Sequence, residues 1–207
     1  MNVTNQRVLL TGVELPAETR GEIVSGEARR LLSQLAAELG LHCPESHWSP
    51  RGAGPPKHPT LTGNWFAGIT HKHGRVIVGL SDQPFGIDLE YFNPRHAERL
   101  PGLIELLPEL TVQQAIQQAA CPQRAFYQAW TLHEALFKLS SQTAQPASTV
   151  LDTRLQPAIA MADQVSLWQS PHWTATIVGC APLALDNDMT CILPGAEPVQ
   201  WFHAAPP

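Results

Sequence analysis

Proline and glycine divide this chain into many short stretches. They number 19 and 14 among its 207 residues, and both interrupt regular helices and strands. The elements must therefore be short and their connections frequent. Only 15% of the residues are charged, so much of the chain must be packed, as one large domain or two small lobes.

Charge and hydropathy exclude several classes of protein. The formal net charge is −5, whereas a general nucleic-acid binder needs a dense basic surface. No apolar run approaches the roughly 20 residues that span a bilayer, and the first residues lack the pattern of a secretory signal. We therefore expect a cytoplasmic protein with no membrane or nucleic-acid partner. Its four cysteines are far apart in sequence without a CxxC pair, so we expect reduced thiols.

Hydrophobic periodicity in the first half predicts one helical region followed by a group of strands. A helix, or two, is predicted within residues 16–40, with Ile23 on its apolar face and Gly40 as its end. The segment 42–62 has too many prolines and glycines for regular structure and is predicted as a basic loop. The predicted strands are 7–15, 65–71, 75–81 and 85–91, the middle two as an antiparallel hairpin.

The second half repeats this helix-and-strand composition. Predicted helices cover 95–107, 112–119 and 122–139, the last with Pro122 at its favoured first position, and predicted strands cover 158–169, 172–179 and 189–193. The fold class is therefore α+β, with two lobes of short antiparallel strands packed on helices. We place the lobes at residues 1–95 and 96–207.

The stretch FGIDLEY contains Asp88 and Glu90, separated by one residue of a predicted strand. Alternating side chains of a strand point to opposite faces, so both carboxylates project to the same side. Paired oxygen ligands suit a hard cation such as Mg²⁺. For the DxE pair taken alone, a solvated strand face with two unrelated acids is the favoured interpretation.

The helix segment WTLHEALFKL places Glu134 and Lys138 one turn apart at the edge of an apolar face. Such a pair can act on an anionic substrate, or it can be an ordinary surface ion pair. His133 falls near the middle of the apolar arc, which favours a packed histidine.

GITHKHG, residues 68–74, ends a strand with two histidines and a lysine. His71 can donate a hydrogen bond to a phosphate from a ring N–H. A zinc site at His71 and His73 and a plain polar turn are the alternatives, although zinc lacks further nitrogen or sulfur ligands nearby. In the preceding loop, Arg51 and Lys57 can bind phosphate or remain solvated charges.

The order of these motifs resembles one known family. A GITH turn, then GIDLE, then W-x-x-x-E-A-x-x-K resemble the 4'-phosphopantetheinyl transferase superfamily. The RGAGPPKHP loop and the ARRLLSQLAAELG helix before it are most similar to the siderophore-synthesis (enterobactin) branch. The resemblance covers residues 28–139 and implies two pseudo-symmetric lobes with coenzyme A in the cleft between them.

That resemblance implies an enzyme that transfers the 4'-phosphopantetheine arm of coenzyme A to a serine of an apo acyl or peptidyl carrier protein, with Mg²⁺, releasing adenosine 3',5'-bisphosphate. Asp88, Glu90 and Glu134 match the family's metal carboxylates, and Glu134 is the best-placed general base. Lys138 matches the lysine near the transferring phosphate. The residues that match coenzyme A contacts are His71, Arg51, Lys57, with a short insertion, and, more loosely, Arg29.

Two positions depart from the family pattern. His133 replaces the usual lysine before the helix glutamate, which implies weaker phosphate binding and a pH dependence. Lys72 replaces a serine or threonine and adds positive charge. Replacing Asp88, as an exposed strand carboxylate, is expected to abolish transfer while leaving the fold intact.

Two other functions remain open. One is a non-catalytic module that binds coenzyme A or the carrier, and the other is a Mg²⁺-dependent phosphoesterase. For the transferase, Arg95 and Arg99 are predicted to belong to a local patch that docks the carrier. A monomer is the simpler expectation for a chain with two lobes.

Overall fold

The fold is described here for residues 5–63, 65–155, 162–186 and 189–200 of a computed structural model. The strands are β1 (Gln6–Glu14), β2 (Phe66–Lys72), β3 (Arg75–Ser81), β4 (Phe85–Tyr91), β5 (Val165–Gln169), β6 (Trp173–Gly179), β7 (Leu183–Leu185) and β8 (Glu197–Pro198). The α-helices are α1 (Gly21–Glu38), α2 (His96–Glu105), α3 (Leu110–Gln118), α4 (Pro122–Ser140) and α5 (Met189–Ile192). The α+β class, with antiparallel strands and several helices, is confirmed.

Local turn chemistry sets several of these bounds. Helix α1 ends before Gly40, whose φ of +74° lies in the left-handed region that glycine adopts easily. Between β2 and β3, His73 and Gly74 have φ of 44° and 76°, as the two central residues of a tight type I′ hairpin turn require. The predicted hairpin is thereby confirmed, with Lys72 paired opposite Arg75.

The eight described strands form two four-stranded sheets. In the first, the order is β2-β3-β1-β7, and in the second it is β4-β6-β5-β8. Strand β7 pairs with β1 in parallel, while the other pairings are antiparallel. Both β2 and β4 are therefore edge strands of their sheets.

Three apolar clusters place the elements in layers. The first lies between α1 and the first sheet, the second between the helices α2 to α4 and the second sheet, and the third between the two sheets. In β3, Val76 and Val78 belong to the first cluster and Ile77 to the third. Both faces of β3 are thus covered, which explains its nearly continuous apolar run.

Two predictions about individual segments are wrong. Residues 189–192 form the short helix α5 rather than a strand, because a brief apolar run fits either structure and tertiary packing decides. Ile23 is 58% exposed, and Val24 takes the buried position in α1 instead. Of the strand predicted over 158–169, residues 165–169 are confirmed, a 3-10 helix precedes them at Ala162–Gln164, and 158–161 lie outside the described residues.

The chain crosses between the two sheets more than once. Strand β4 precedes the predicted lobe boundary and pairs with β6 beyond it, whereas β7 follows the boundary and pairs with β1. The division at residues 95 and 96 stays a prediction. Within the described part of the chain, no helix is both long and apolar enough to cross a membrane.

Candidate active site

Close packing of β4 against α4 brings the acidic strand to the helix. A Cβ atom built on Gly86 would lie 1.7 Å from the carbonyl oxygen of Ala135, so only glycine allows this approach of the two backbones. Because side chains alternate along a strand, Asp88 and Glu90 share the face of Gly86. The predicted common face of the two acids therefore lies toward α4.

Lys138 of α4 is bound to Asp88 of β4. The Lys138 Nζ atom lies 2.6 Å from Asp88 Oδ1 and also donates to the carbonyl oxygen of Ile87 at 3.1 Å. Only 7% of the Asp88 side chain is exposed. Asp88 is therefore a buried, ion-paired carboxylate, and the expectation of an exposed one is wrong.

Strand β2 also packs against β4 and contributes contacts to its two acids. Thr70 Oγ1 donates to Asp88 Oδ1 at 3.3 Å, and Lys72 Nζ lies 2.7 Å from Glu90 Oε2. Gln142, beyond the end of α4, joins the two strands: its Oε1 accepts from Phe85 N and its Nε2 donates to Ala67 O, each at 3.1 Å. These contacts align the two sheet edges at the acids.

Glu134 belongs to the same electrostatic cluster. Burial raises its pKa, the negative charge of Asp88 raises it further, and Lys138 opposes both. Glu90 also has a raised pKa, because it is desolvated and only partly compensated by Lys72. The three predicted carboxylates thus influence one another, and the cost of bringing their charges together favours a shared cation.

The chemistry of these donors fits a hard cation such as Mg²⁺. Asp88 Oδ2 is buried without a hydrogen-bond partner, which is the state of an oxygen awaiting a cation or water. Yet among the described residues no three His, Cys, Asp or Glu side chains form a ready metal-binding group. Lys138 binds one oxygen of Asp88 and Lys72 binds one oxygen of Glu90, so a metal that takes either of these oxygens must displace a lysine.

The predicted basic residues divide into two groups. Burial lowers the pKa of His71, and the positive charges of Arg51, Lys138 and Lys72 lower it further. Arg51, Lys138 and Lys72 therefore create a positive region around His71 and next to the acids, suited to a multiply charged anion.

Arg29 and Lys57 lie further along the same surface. Arg29 and Lys138 both line a cavity of about 200 Å³, but the Arg29 guanidinium also donates to Ser49 O at 2.6 and 3.0 Å and so ties the basic loop to α1. Lys57 lines an adjoining cavity, which shares Pro55, Pro56 and Gln142 with the first. The structure therefore does not bring Lys57 to the acidic cluster.

His133 points elsewhere. It is fully buried, and its Nδ1 lies 2.6 Å from Thr153 Oγ1. Burial lowers its pKa to about 4, so the ring is neutral near pH 7. The prediction of a packed histidine is confirmed, and this geometry gives His133 no contact through which it would hold a phosphate.

The hairpin histidines do not form a zinc site among the described residues. His73 packs instead on the ring of Tyr91, with ring centroids 4.6 Å apart.

Sequence reasoning missed three contributors to this site. They are Gly86, Thr70 and Gln142. A glycine inside a strand is a recognised sign of close backbone approach, so the glycine of GIDLE could have been predicted to have this role. The roles of Thr70 and Gln142 depend on which strands are neighbours, which the sequence does not show.

Residues 84–176 match the family model of the 4'-phosphopantetheinyl transferase superfamily. The match covers less than half of the 207 residues, but it includes β4 and α4 and hence all three acids and Lys138. It does not include α1, the basic loop or β2, where the other predicted phosphate-binding residues lie. No curated protein matches the chain. The match supports the superfamily and does not select the siderophore branch.

Proposed function

We propose, with the superfamily match as the premise, that this chain transfers the 4'-phosphopantetheine arm of coenzyme A to a serine hydroxyl of an apo acyl or peptidyl carrier protein. The convergence of Asp88, Glu90 and Glu134 with Lys138 carries the proposal. It places acids suited to Mg²⁺ beside a cation suited to phosphate, on the segment that matches the superfamily. The second product is adenosine 3',5'-bisphosphate.

Asp88, Glu90 and Glu134 would hold the Mg²⁺ ion. When bound, that ion neutralises charge on the diphosphate of coenzyme A and on the leaving group. Lys138, released from Asp88, is one turn of α4 away from Glu134 and is placed to bind the transferring phosphate. Its ammonium then stabilises the charge that develops as the bond to the leaving phosphate breaks.

Glu134 is proposed as the general base. The serine oxygen forms a new bond to phosphorus as its proton passes to the Glu134 carboxylate, directly or through water. Burial raises the pKa of Glu134 in the metal-free protein, and its place beside the phosphate-binding Lys138 puts its carboxylate where the serine proton is released. The remaining acceleration comes from positioning and electrostatics.

Coenzyme A is proposed to bind along the positive surface next to the acids. His71 and Arg51 flank the diphosphate, while Arg29 contributes charge to the cavity that Lys138 also lines. Lys57, in the adjoining cavity, is placed to reach the nucleotide end of an extended ligand rather than the reacting phosphate.

The carrier is proposed to dock on α2 and the residues that follow it. Arg95 and Arg99 are exposed there, and Leu106 and Leu110 are 60% and 64% exposed. The arginines supply positive charge and the leucines supply apolar area, which suits an acidic carrier better than the net charge of the chain does. A cytoplasmic monomer of the siderophore-synthesis branch, with no nucleic-acid or membrane partner, completes the proposal.

Mass spectrometry of the carrier tests this function. Incubation with Mg²⁺, coenzyme A and an apo carrier should add about 340 Da to the acceptor, the mass of the transferred arm on its serine. The carrier with alanine at the acceptor serine should gain nothing, and EDTA should stop the transfer. Coenzyme A hydrolysis without carrier would instead indicate a phosphoesterase, and coenzyme A binding without any product would indicate a binding module.

A further inference from the structure

Lys72 occupies an unusual position between the two sheets. It is the last residue of β2, immediately before the turn at His73 and Gly74. Its side chain is 41% exposed, while that of its partner Glu90 is only 14% exposed. The lysine thus reaches from solvent to a mostly buried carboxylate on the neighbouring sheet, with 2.7 Å between Nζ and Oε2.

The Lys72–Glu90 ion pair resembles the Lys138–Asp88 ion pair, two residues away along β4. Each acid of the DxE pair holds one lysine ammonium, and the second oxygen of Asp88 has no partner. In the absence of a metal, the chain therefore supplies its own cations to these acids. A divalent ion that takes the Glu90 oxygen must compete with Lys72 for it.

We propose that Lys72 is a phosphate-binding residue that rests on Glu90 in the substrate-free protein and moves to the diphosphate when Mg²⁺ takes its place. This rests on the proposed function for the identity of the anion. The exchange couples the two ligands: an anion that draws Lys72 away frees Glu90 for the metal, and a metal at Glu90 frees Lys72 for the anion. Thermodynamic linkage makes this coupling equal in both directions.

The surroundings of Lys72 suit such an exchange. A lysine has a flexible stem and a compact charge that can change partners at low cost. Because the Lys72 side chain is 41% exposed, solvent screens its attraction to Glu90, and a new contact with an anion can offset the loss of the pair. The positive charge of Lys72 acts on His71 together with those of Arg51 and Lys138, so an anion bound near His71 would attract Lys72.

Calorimetry on Lys72→Thr tests the exchange without measuring turnover. At pH 8, Mg²⁺ alone should bind about two- to fivefold more tightly than to the wild type, because the competing ammonium is gone. Coenzyme A in EDTA should bind about two- to fivefold more weakly, because one phosphate-binding cation is lost. Lys72→Arg should restore both affinities at least in part. Loss of a merely structural residue would weaken both ligands, and that outcome overturns the proposal.

Arg7→Thr is the matched control. It removes one positive charge from an exposed ion pair with Asp186, at β1 and β7, and should change neither affinity. Equal effects of Lys72→Thr and Arg7→Thr would show only a change in overall charge and would overturn the proposal. The proposal is also overturned if neither the wild type nor the Lys72→Thr variant binds Mg²⁺ alone.

The transfer assay separates this inference from the proposed function. If no carrier gains mass but the two affinities still shift in opposite directions, the transferase proposal fails and the exchange stands. If transfer occurs and the affinities of Lys72→Thr shift together or not at all, the exchange fails and the transferase stands.

Discussion

Lys138 and Asp88 are 50 positions apart in sequence and 2.6 Å apart in space, and their ion pair fastens α4 to β4. Lys138→Met would leave the Asp88 carboxylate buried with Thr70 as its remaining side-chain donor. We expect this variant to lower the free energy of unfolding by about 1–3 kcal/mol. Urea denaturation in EDTA at pH 8 measures it.

A double-mutant cycle isolates the pair. In the Asp88→Asn background, no buried charge is left unpaired when Lys138 is removed. Adding Lys138→Met should therefore lower the unfolding free energy clearly less than it does in the wild type. We expect a coupling of about 1 kcal/mol. Additive costs would show that the two side chains do not stabilise each other. Because Asp88 is buried, Asp88→Asn is also a better test of activity than Asp88→Ala, which would leave a cavity.

Glu134→Gln should lower kcat for transfer by about 10²–10⁴-fold, because the amide cannot take the serine proton. Both side chains have nearly the same size, so the unfolding free energy should change little. Kinetics with an apo carrier give kcat, and circular dichroism checks the fold. A variant with wild-type kcat would exclude Glu134 as the base.

Gly86→Ala tests the contact that brings the acids to α4. Its Cβ would lie 1.7 Å from Ala135 O, a backbone atom, so β4 and α4 would have to separate. We expect a loss of about 1–3 kcal/mol in the unfolding free energy, and a loss of transfer activity because Asp88 and Glu90 on β4 move away from Glu134 on α4. Thermal unfolding and the transfer assay measure the two effects.

Gly26→Ala is the matched control. Gly26 lies within α1 and has nothing within 4 Å of an added Cβ, so the better helix propensity of alanine should stabilise the protein by about 0.5–1 kcal/mol. If Gly86→Ala and Gly26→Ala had the same small effect on the unfolding free energy, that result would contradict the close approach of β4 to α4 at Gly86.

Gln6→Leu should be among the most damaging single substitutions outside the site. Gln6 is fully buried. Its Nε2 lies 3.0–3.1 Å from Ser81 Oγ, Gln83 O and Pro84 O, and its Oε1 accepts from Cys180 N at 2.8 Å. Leucine would leave several of these groups without partners, at about 3 kcal/mol or more in total.

Gln117→Leu serves for comparison, since Gln117 is exposed on α3. The unfolding free energy of this variant should lie within about 0.5 kcal/mol of that of the wild type. Urea denaturation of both variants gives the difference. A Gln6→Leu variant as stable as Gln117→Leu would contradict the bridging role of the buried amide.

Local sequence signals predicted most elements, because periodicity and turn residues act over a few positions. The bounds of β3 and β4 agree with their predictions, and α4 begins at Pro122 as expected. The failures lie where tertiary packing decides. The apolar run at 189–193 is too short to distinguish strand from helix, and the periodicity of α1 wrongly selected Ile23 where the structure buries Val24.

The acids of the site were visible in the sequence, but their partners were not. Strand alternation predicted that Asp88 and Glu90 share a face, and helix geometry placed Glu134 near Lys138. The Lys72–Glu90 contact exists because two edge strands of different sheets adjoin, which no local pattern encodes. The burial of Asp88 follows from the same packing, so sequence alone suggested an exposed carboxylate.

His133 should make the stability of the protein depend on pH. Burial lowers its folded-state pKa from 6.5 to about 4, and Arg154 adds to the effect. Between these values the unfolded chain binds a proton that the folded protein does not, so stability rises with pH over this range. The contribution is complete above about pH 6.5 and is lost as the pH falls through about 4.

The change corresponds to roughly 3 kcal/mol. His133→Gln, which does not titrate, should remove this part of the slope between pH 4 and 6.5, whatever its stability at pH 8. Urea denaturation of wild type and variant across this range measures the slopes. His42→Gln, the same substitution at an exposed histidine, provides the control. Parallel curves for wild type and His133→Gln would mean that the buried ring does not titrate as its surroundings require, since a group with equal folded and unfolded pKa values contributes no slope.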